Sequence, residues 1–146
     1  MRRFEKSVII DAAQSAVWDA LTNPDPIRQW MGGRTNIEVI TDWKVGEPIL
    51  IRGIHQVPFE NTGTVLRFEP EQVLRYSHLS SLSHLPDEPQ NYTTMEFNLE
   101  SAGSGTLLRL IVENFPTDTI YRHLNFYWET TLMVLKRYVE QSRGSV

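Results

Sequence analysis

The period of polar and apolar positions changes along the chain. Residues 4–10 mix the two kinds and end on β-branched Val8, Ile9 and Ile10, which predicts a first strand. From Ala12 to Leu21 the composition turns helical, with Val17, Trp18 and Leu21 on one face. Asp11, followed three residues later by Gln14, resembles a capping box, and Asn23-Pro24 predicts the stop. Asp25-Pro26 predicts a second short helix capped by Asp25, with Ile27, Trp30 and Met31 on its apolar side and Gly32-Gly33 at its end. The period then falls to two. Segments 35–40, 48–54, 63–68, 73–79, 92–100 and 106–114 read as strands, separated by turn residues at 42–46, at Pro58, at 69–71 and at 101–105. Short connections between consecutive strands predict an antiparallel meander. Ser80 to Gln90, with Pro86 and Pro89, reads as a longer loop, of a length at which lids and mobile edges occur.

The last segment returns to a helical period. Residues 120–142 contain no Gly or Pro, and Ile120, Leu124, Tyr127, Trp128, Leu132, Leu135, Tyr138 and Val139 form a broad apolar stripe. Arg122, Asn125, Glu129, Lys136 and Glu140 lie opposite, and Thr117 fits an N-cap. Such a helix is roughly 35 Å long at 1.5 Å per residue, the span of a small domain. Its stripe needs an apolar surface, which the concave face of a twisted meander supplies. These elements predict one α+β domain over residues 1–146: a curved antiparallel sheet of about seven strands around a long C-terminal helix, with two short helices after the first strand. A sheet bent around a helix cannot touch it everywhere, so the gap predicts an apolar cavity.

Composition narrows the function classes. A formal net charge of −4, with no basic run beyond Arg2-Arg3 and Lys136-Arg137, argues against nucleic acid as a partner. The absence of cysteine removes disulfides, thiolate nucleophiles and thiolate metal ligands. No apolar run approaches the roughly 20 residues that span a bilayer, and the first residues carry no signal-peptide pattern. The expected address is the cytoplasm, with no membrane partner.

Several short stretches, taken in order, are similar to a known family. They are Val17-Trp18-Asp19-Ala20-Leu21-Thr22-Asn23-Pro24, Trp30-Met31-Gly32-Gly33, Asp42-Trp43-Lys44-Val45-Gly46, Gly63-Thr64-Val65-Leu66, Leu74-Arg75-Tyr76 and Gly105-Thr106-Leu107-Leu108. The closing helix adds Trp128, Leu132, Leu135 and Lys136. Together they resemble the bacterial, single-domain activator of heat-shock protein 90 ATPase homologue family, within the START-like (SRPBCC) superfamily. The resemblance implies the helix-grip fold and an interior ligand pocket, and it implies no single shared activity. It also implies that Met95, Phe97, Leu99, Leu108, Leu110 and Val112 point inward, with Glu96, Arg109 and Glu113 outside as cross-strand pairs. A Glu96–Arg109 pair reads as surface ion pairing rather than catalytic machinery.

The candidate chemistry is sparse. None of His55, His78, His84 and His123 forms a short-spaced metal pair, and no phosphate loop, dinucleotide fingerprint or nucleophile elbow is present. No metal, no cofactor and no catalytic residue is assigned. His78 shares strand parity with Leu74 and Tyr76, so Tyr76 and His78 are either polar groups in a pocket or a hydrogen-bonded core pair. Trp18, Trp30 and Trp43 read as packing residues, while Trp128, mid-stripe, is equally placed for packing or for ligand contact. The expected cavity lining is Leu74, Tyr76, His78, Met95, Phe97, Leu108, Leu110, Leu124 and Trp128. The leading expectation is a carrier or sensor that binds a small apolar or amphipathic molecule. One alternative is a polyketide cyclase or dehydratase-like enzyme using Tyr76 and His78; a second is a chaperone-associated module. Phe126 and Met133 project from the polar face of the long helix, which reads either as a homodimer surface or as scattered surface apolarity.

Overall fold

The computed structural model describes residues 2–31 and 36–144. The chain runs β1 (Arg3–Ile10), α1 (Gln14–Thr22), α2 (Pro24–Trp30), β2 (Asn36–Ile40), β3 (Pro48–His55), β4 (Val57–Glu69), β5 (Val73–Ser80), β6 (Thr93–Ala102), β7 (Gly105–Glu113) and α3 (Asp118–Gly144). Two single 3-10 turns, Ser81–Ser83 and Pro89–Asn91, lie between β5 and β6. All neighbouring strands are antiparallel, in the order β1-β7-β6-β5-β4-β3-β2. This is the expected meander, with β1 added beside β7 at one edge and β2 forming the other. The sheet curves around α3, which is the helix-grip arrangement.

Strand alternation sorts the side chains. Met95, Phe97 and Leu99 on β6 and Leu108, Leu110 and Val112 on β7 are buried, as the resemblance implied. The outer face carries the charges, in a pairing that differs from a Glu96–Arg109 pair. Glu96 meets Arg75, directly opposite on β5, at 3.4 Å, and Arg109 meets Glu5 at 3.0 Å and Glu100 at 3.6 Å. Glu113 pairs with Arg3 at 3.3 Å. On α3 the buried side chains are Leu124, Trp128, Thr131, Leu132, Leu135 and Val139, one stripe at helical spacing. The C-terminal half of this helix is tied to the β1 end of the sheet. Lys136 Nζ donates to the Ile9 carbonyl at 2.7 Å, and the Asp11 backbone N–H donates to Glu140 Oε2 at 2.8 Å.

Element ends depart from expectation for identifiable reasons. Asp11 does not cap α1: Ala13 holds the N-cap position without a side-chain bond. The cap of α2 is Asn23, whose side chain accepts from the Asp25 N–H, and Pro24 rather than Pro26 opens the helix. Asn23-Pro24 therefore starts α2 as well as ending α1. Pro58 lies inside β4, not in a turn; the reversal is made at Gln56, with φ 66°. Pairing of β4 with β5 begins only at Asn61, so the stretch around Pro58 is locally an edge and a missing N–H is tolerated. Gly63 marks a close approach between β4 and β5: a Cβ there would lie 1.7 Å from the Ser77 carbonyl oxygen. Thr35 and Gly32-Gly33 fall outside the described residues. Among the described residues, no helix is long and apolar enough to cross a membrane.

Candidate functional site

The short helices close one end of the sheet through indole hydrogen bonds. Trp30 Nε1 donates to the Ala20 carbonyl and Trp43 Nε1 to the Thr22 carbonyl, each at 2.8 Å. Trp18 and Trp43 both pack on Phe68, with ring centroids 5.2 and 5.7 Å away. These three tryptophans thus fasten α1, α2 and the β2–β3 connection together. They leave space elsewhere. Between β3–β5, the N-terminal half of α3 and the connection after β5 lies a cavity of about 670 Å³.

Its lining has two characters. Met31, Ile37, Ile51, Met95, Leu124 and Trp128 supply apolar surface, and most of these are buried. Asn61, Ser80, Ser83, Asn91, Thr119 and His123 supply polar groups nearer to solvent. Leu82 and Ser83 belong to the Ser80–Gln90 segment, so the expected loop forms part of the cavity wall. Among the described residues, none that lines it is Asp, Glu, Lys or Arg. Among the described residues, no three His, Asp or Glu side chains converge as a metal site would require.

Of the residues expected to line the cavity, Tyr76, His78, Met95, Leu124 and Trp128 do so. Leu74 and Phe97 instead wall a separate void of about 10 Å³ beneath Trp30, where Tyr76 also reaches. Leu108 and Leu110 are fully enclosed in the core. Parity places all of them on the concave face, yet α3 does not cover that face evenly. Its C-terminal half lies against the β1–β7 end, and the large cavity lies toward the other end, over β3–β5 with Ile37 of β2 and Met95 of β6. Ile37, Ile51, Phe59, Ile120, His123 and Tyr127 were missed as lining residues. Ile120 and Tyr127 already stand in the apolar stripe and His123 lies three residues after Ile120, so taking the lining from the whole N-terminal part of the stripe and its i+3 neighbour would have found all three.

Burial shifts three ionisable groups of the cavity, His78, Tyr76 and Tyr127, toward their neutral forms. Burial, with His123 nearby, lowers the His78 pKa from 6.5 to about 4. Burial likewise pushes the Tyr76 hydroxyl above its ordinary value, and pushes Tyr127 up against the opposing effect of its hydrogen bond with Thr131. Trp128 sits in the middle of this group, 2% exposed, with ring centroids 5.7 Å from Phe97 and 6.3 Å from Trp30. Among the described residues its Nε1 has no hydrogen-bond partner. The set offers hydrogen-bond donors and acceptors within apolar walls, the usual character of a small-molecule site.

His78 gives the site a pH signature. Its folded pKa lies below the unfolded value, so the unfolded state binds more protons between about pH 6.5 and pH 4 and stability falls as pH drops through that window. Urea titrations should show about 2 kcal/mol less stability at pH 5 than at pH 7.5 from this group, and His78→Gln should remove that share. Equal pH slopes for the two proteins would mean that His78 is solvated like an exposed imidazole.

Three kinds of comparison bear on this geometry. A family model described as "Activator of Hsp90 ATPase homolog 1-like protein" matches residues 11–140. Comparison with curated proteins gives no match. Among solved structures, a Cytophaga hutchinsonii protein is 31% identical with a TM-score of 0.82, the match covering 99% of this chain and 98% of that one. The Aha1 dimer from Colwellia psychrerythraea is 22% identical with a TM-score of 0.76, covering 96% and 97%. DynU16, a putative protein in the dynemicin biosynthetic locus, is 20% identical with a TM-score of 0.74, covering 96% of this chain and 48% of that one. The last two likenesses concern the fold alone.

Proposed function

This chain belongs to the family of activator of Hsp90 ATPase homolog 1-like proteins, and from that premise we propose that it is a carrier or sensor that holds one small, largely apolar molecule in its interior cavity. The observation that supports this reading is the cavity of about 670 Å³, with buried apolar walls and polar groups toward solvent. That volume is within the roughly 300–1,000 Å³ of small-molecule sites. Tyr76, His78, Met95, Leu124 and Trp128 are the proposed contacts, joined by Ile51 and Tyr127. The neutral probe N-phenyl-1-naphthylamine should bind the native protein with saturation at about one equivalent and quench tryptophan emission, because Trp128 stands in the wall. A linear, non-saturating response would refute the reading. The cytoplasm remains the proposed address.

A second reading has its own observation. Tyr76 and His78 lie in the same cavity wall, so a flexible polyketide-like chain could be folded there while the two side chains move protons in a cyclisation or dehydration. The carrier reading leads because a His78 with its pKa at about 4 is a weak base at neutral pH. The proposal also includes a homodimer through the outer face of α3. Phe126 is 74% and Met133 41% exposed there, in line with exposed Glu129. A Phe126→Ser, Met133→Ser variant should sediment as a smaller species than the parent at the same concentration; identical behaviour across concentrations would remove the dimer.

A further inference from the structure

A buried hydroxyl usually has a hydrogen-bond partner, because leaving it unpaired forfeits its bond to water. Two of the buried threonines obey this rule. Thr106 donates to the Ala12 carbonyl at 2.8 Å, and Thr131 bonds Tyr127. Thr93 is 2% exposed, and its side chain has no hydrogen-bond partner among the described residues. Its oxygen is not walled in either. Among the described residues, the one side-chain N or O that is both fully enclosed and unpartnered is Trp128 Nε1. Thr93 opens β6 in phase with inward-facing Met95, and it lines the large cavity. The free hydroxyl therefore faces that space.

Directly across the sheet from Thr93 stands His78. It lines the same cavity, and the two side chains do not bond each other. Residues opposite one another on antiparallel strands have Cβ atoms about 4.5–5.5 Å apart, so an oxygen placed between these two side chains reaches both. Among the described residues, the imidazole bonds only its own backbone, in a contact that favours the protonated ring and so engages an N–H. With its pKa lowered to about 4 the ring is neutral at pH 7.5, which makes its other nitrogen an acceptor. The pair thus presents one hydroxyl able to donate and one nitrogen able only to accept. A ligand hydroxyl answers both, accepting from the first and donating to the second. A ketone or an ether only accepts, and leaves the imidazole nitrogen unpaired.

Resting on the binding function proposed above, we infer that Thr93 and His78 form a polar seat in the cavity wall for a hydroxyl of the ligand, an alcohol or phenol on an apolar body. The hydroxyl accepts from Thr93 and donates to His78, while the body lies against Met95, Ile51 and Leu124. The two residues in this view select a hydroxylated molecule over a hydrocarbon or an ether of similar shape. The seat comes from the pairing of β5 with β6, which sets Thr93 opposite His78 just as it sets Met95 opposite Tyr76.

Three naphthalenes test this by calorimetry at pH 7.5. 2-Naphthol carries the hydroxyl, 2-methylnaphthalene replaces it with a methyl group, and 2-methoxynaphthalene keeps the acceptor and loses the donor. Thr93→Val removes the hydroxyl while keeping a β-branched side chain in the strand, and His78→Leu removes the accepting nitrogen. The preference for the naphthol over methylnaphthalene should fall about tenfold in each variant. Methoxynaphthalene should weaken in Thr93→Val and not in His78→Leu. Because either substitution could disturb packing, the native protein supplies a separate readout. The acceptor-nitrogen resonance of the His78 imidazole should move upfield with the naphthol and not with methylnaphthalene. A preference unchanged in both variants, together with an unmoved resonance, overturns the seat while the bound probes leave the cavity reading standing. If none of the three probes binds, the cavity reading fails and the seat fails with it, so the two failures are told apart.

Discussion

Trp128→Ala is expected to lower the unfolding free energy by about 3 kcal/mol, the lower end of the range for removing a large buried aromatic side chain. The reason for the lower end is the site itself. On one side the indole packs against Phe97, Trp30 and Tyr127, at centroid distances of 5.7, 6.3 and 5.2 Å. On the other side it borders the cavity, so fewer protein neighbours lose contacts when it is truncated. Among the described residues the indole N–H has no hydrogen-bond partner, so its deletion breaks no bond within the protein. The neighbouring Glu129 is exposed, and Glu129→Ala should cost under about 0.5 kcal/mol. Denaturant midpoints measured side by side check both values. Equal midpoints would mean that α3 does not bury this stripe against the sheet.

The second large effect is steric and depends on ligand size. Met95 is 2% exposed and lines the cavity between Tyr76, its partner across β5, and Val112, its partner on β7. A larger side chain at this position has only the cavity into which to extend. Met95→Trp therefore leaves much of a space of about 670 Å³ open and shortens one end of it. Small probes of naphthalene size should keep their affinity to within a few-fold. A longer neutral probe that reaches Met95, such as a pyrene ketone, should lose about ten- to hundredfold, since forced overlap costs about 1–3 kcal/mol. The thermal midpoint reports whether the added ring is accommodated. If long and short probes are affected alike, the bound probe does not touch this wall, and the assignment of the cavity as the binding site is lost.

Much of the architecture follows from local rules that act over a few residues. Strand alternation placed Met95, Phe97, Leu108 and Leu110 on the inner face, and the spacing of Leu124, Trp128, Leu132 and Leu135 placed α3 against it. Both patterns depend only on backbone geometry, with periods of two and 3.6, and so are present in the sequence before any tertiary contact forms. The local errors have the same scale: Asp11 in place of Ala13 as the cap of α1, Pro26 in place of Pro24 as the start of α2, and Pro58 read as a turn. In the last case, whether a proline is tolerated depends on whether β5 pairs with that part of β4, which is a long-range fact.

The sequence by itself determined which side chains face inward, that the concave face of the sheet is apolar, and that no cysteine chemistry is available to it. Only the tertiary structure decided which inward-facing residues have a neighbour and which have a cavity. Periodicity cannot distinguish Leu110 from Met95, because both alternate in phase on adjacent strands; Leu110 is enclosed and Met95 borders open space. That difference arises from how α3 lies across the sheet. Its C-terminal half is fixed by Lys136 and Glu140 to the chain around Ile9 and Asp11, while its N-terminal half stands away from β3–β5 and turns His123 and Tyr127 toward the gap. The lowered pKa of His78 and, among the described residues, the lack of a partner for the indole of Trp128 have the same origin. Both are consequences of desolvation and of the distance to other elements, which are set when the helix docks and are not encoded in the spacing of residues along the chain.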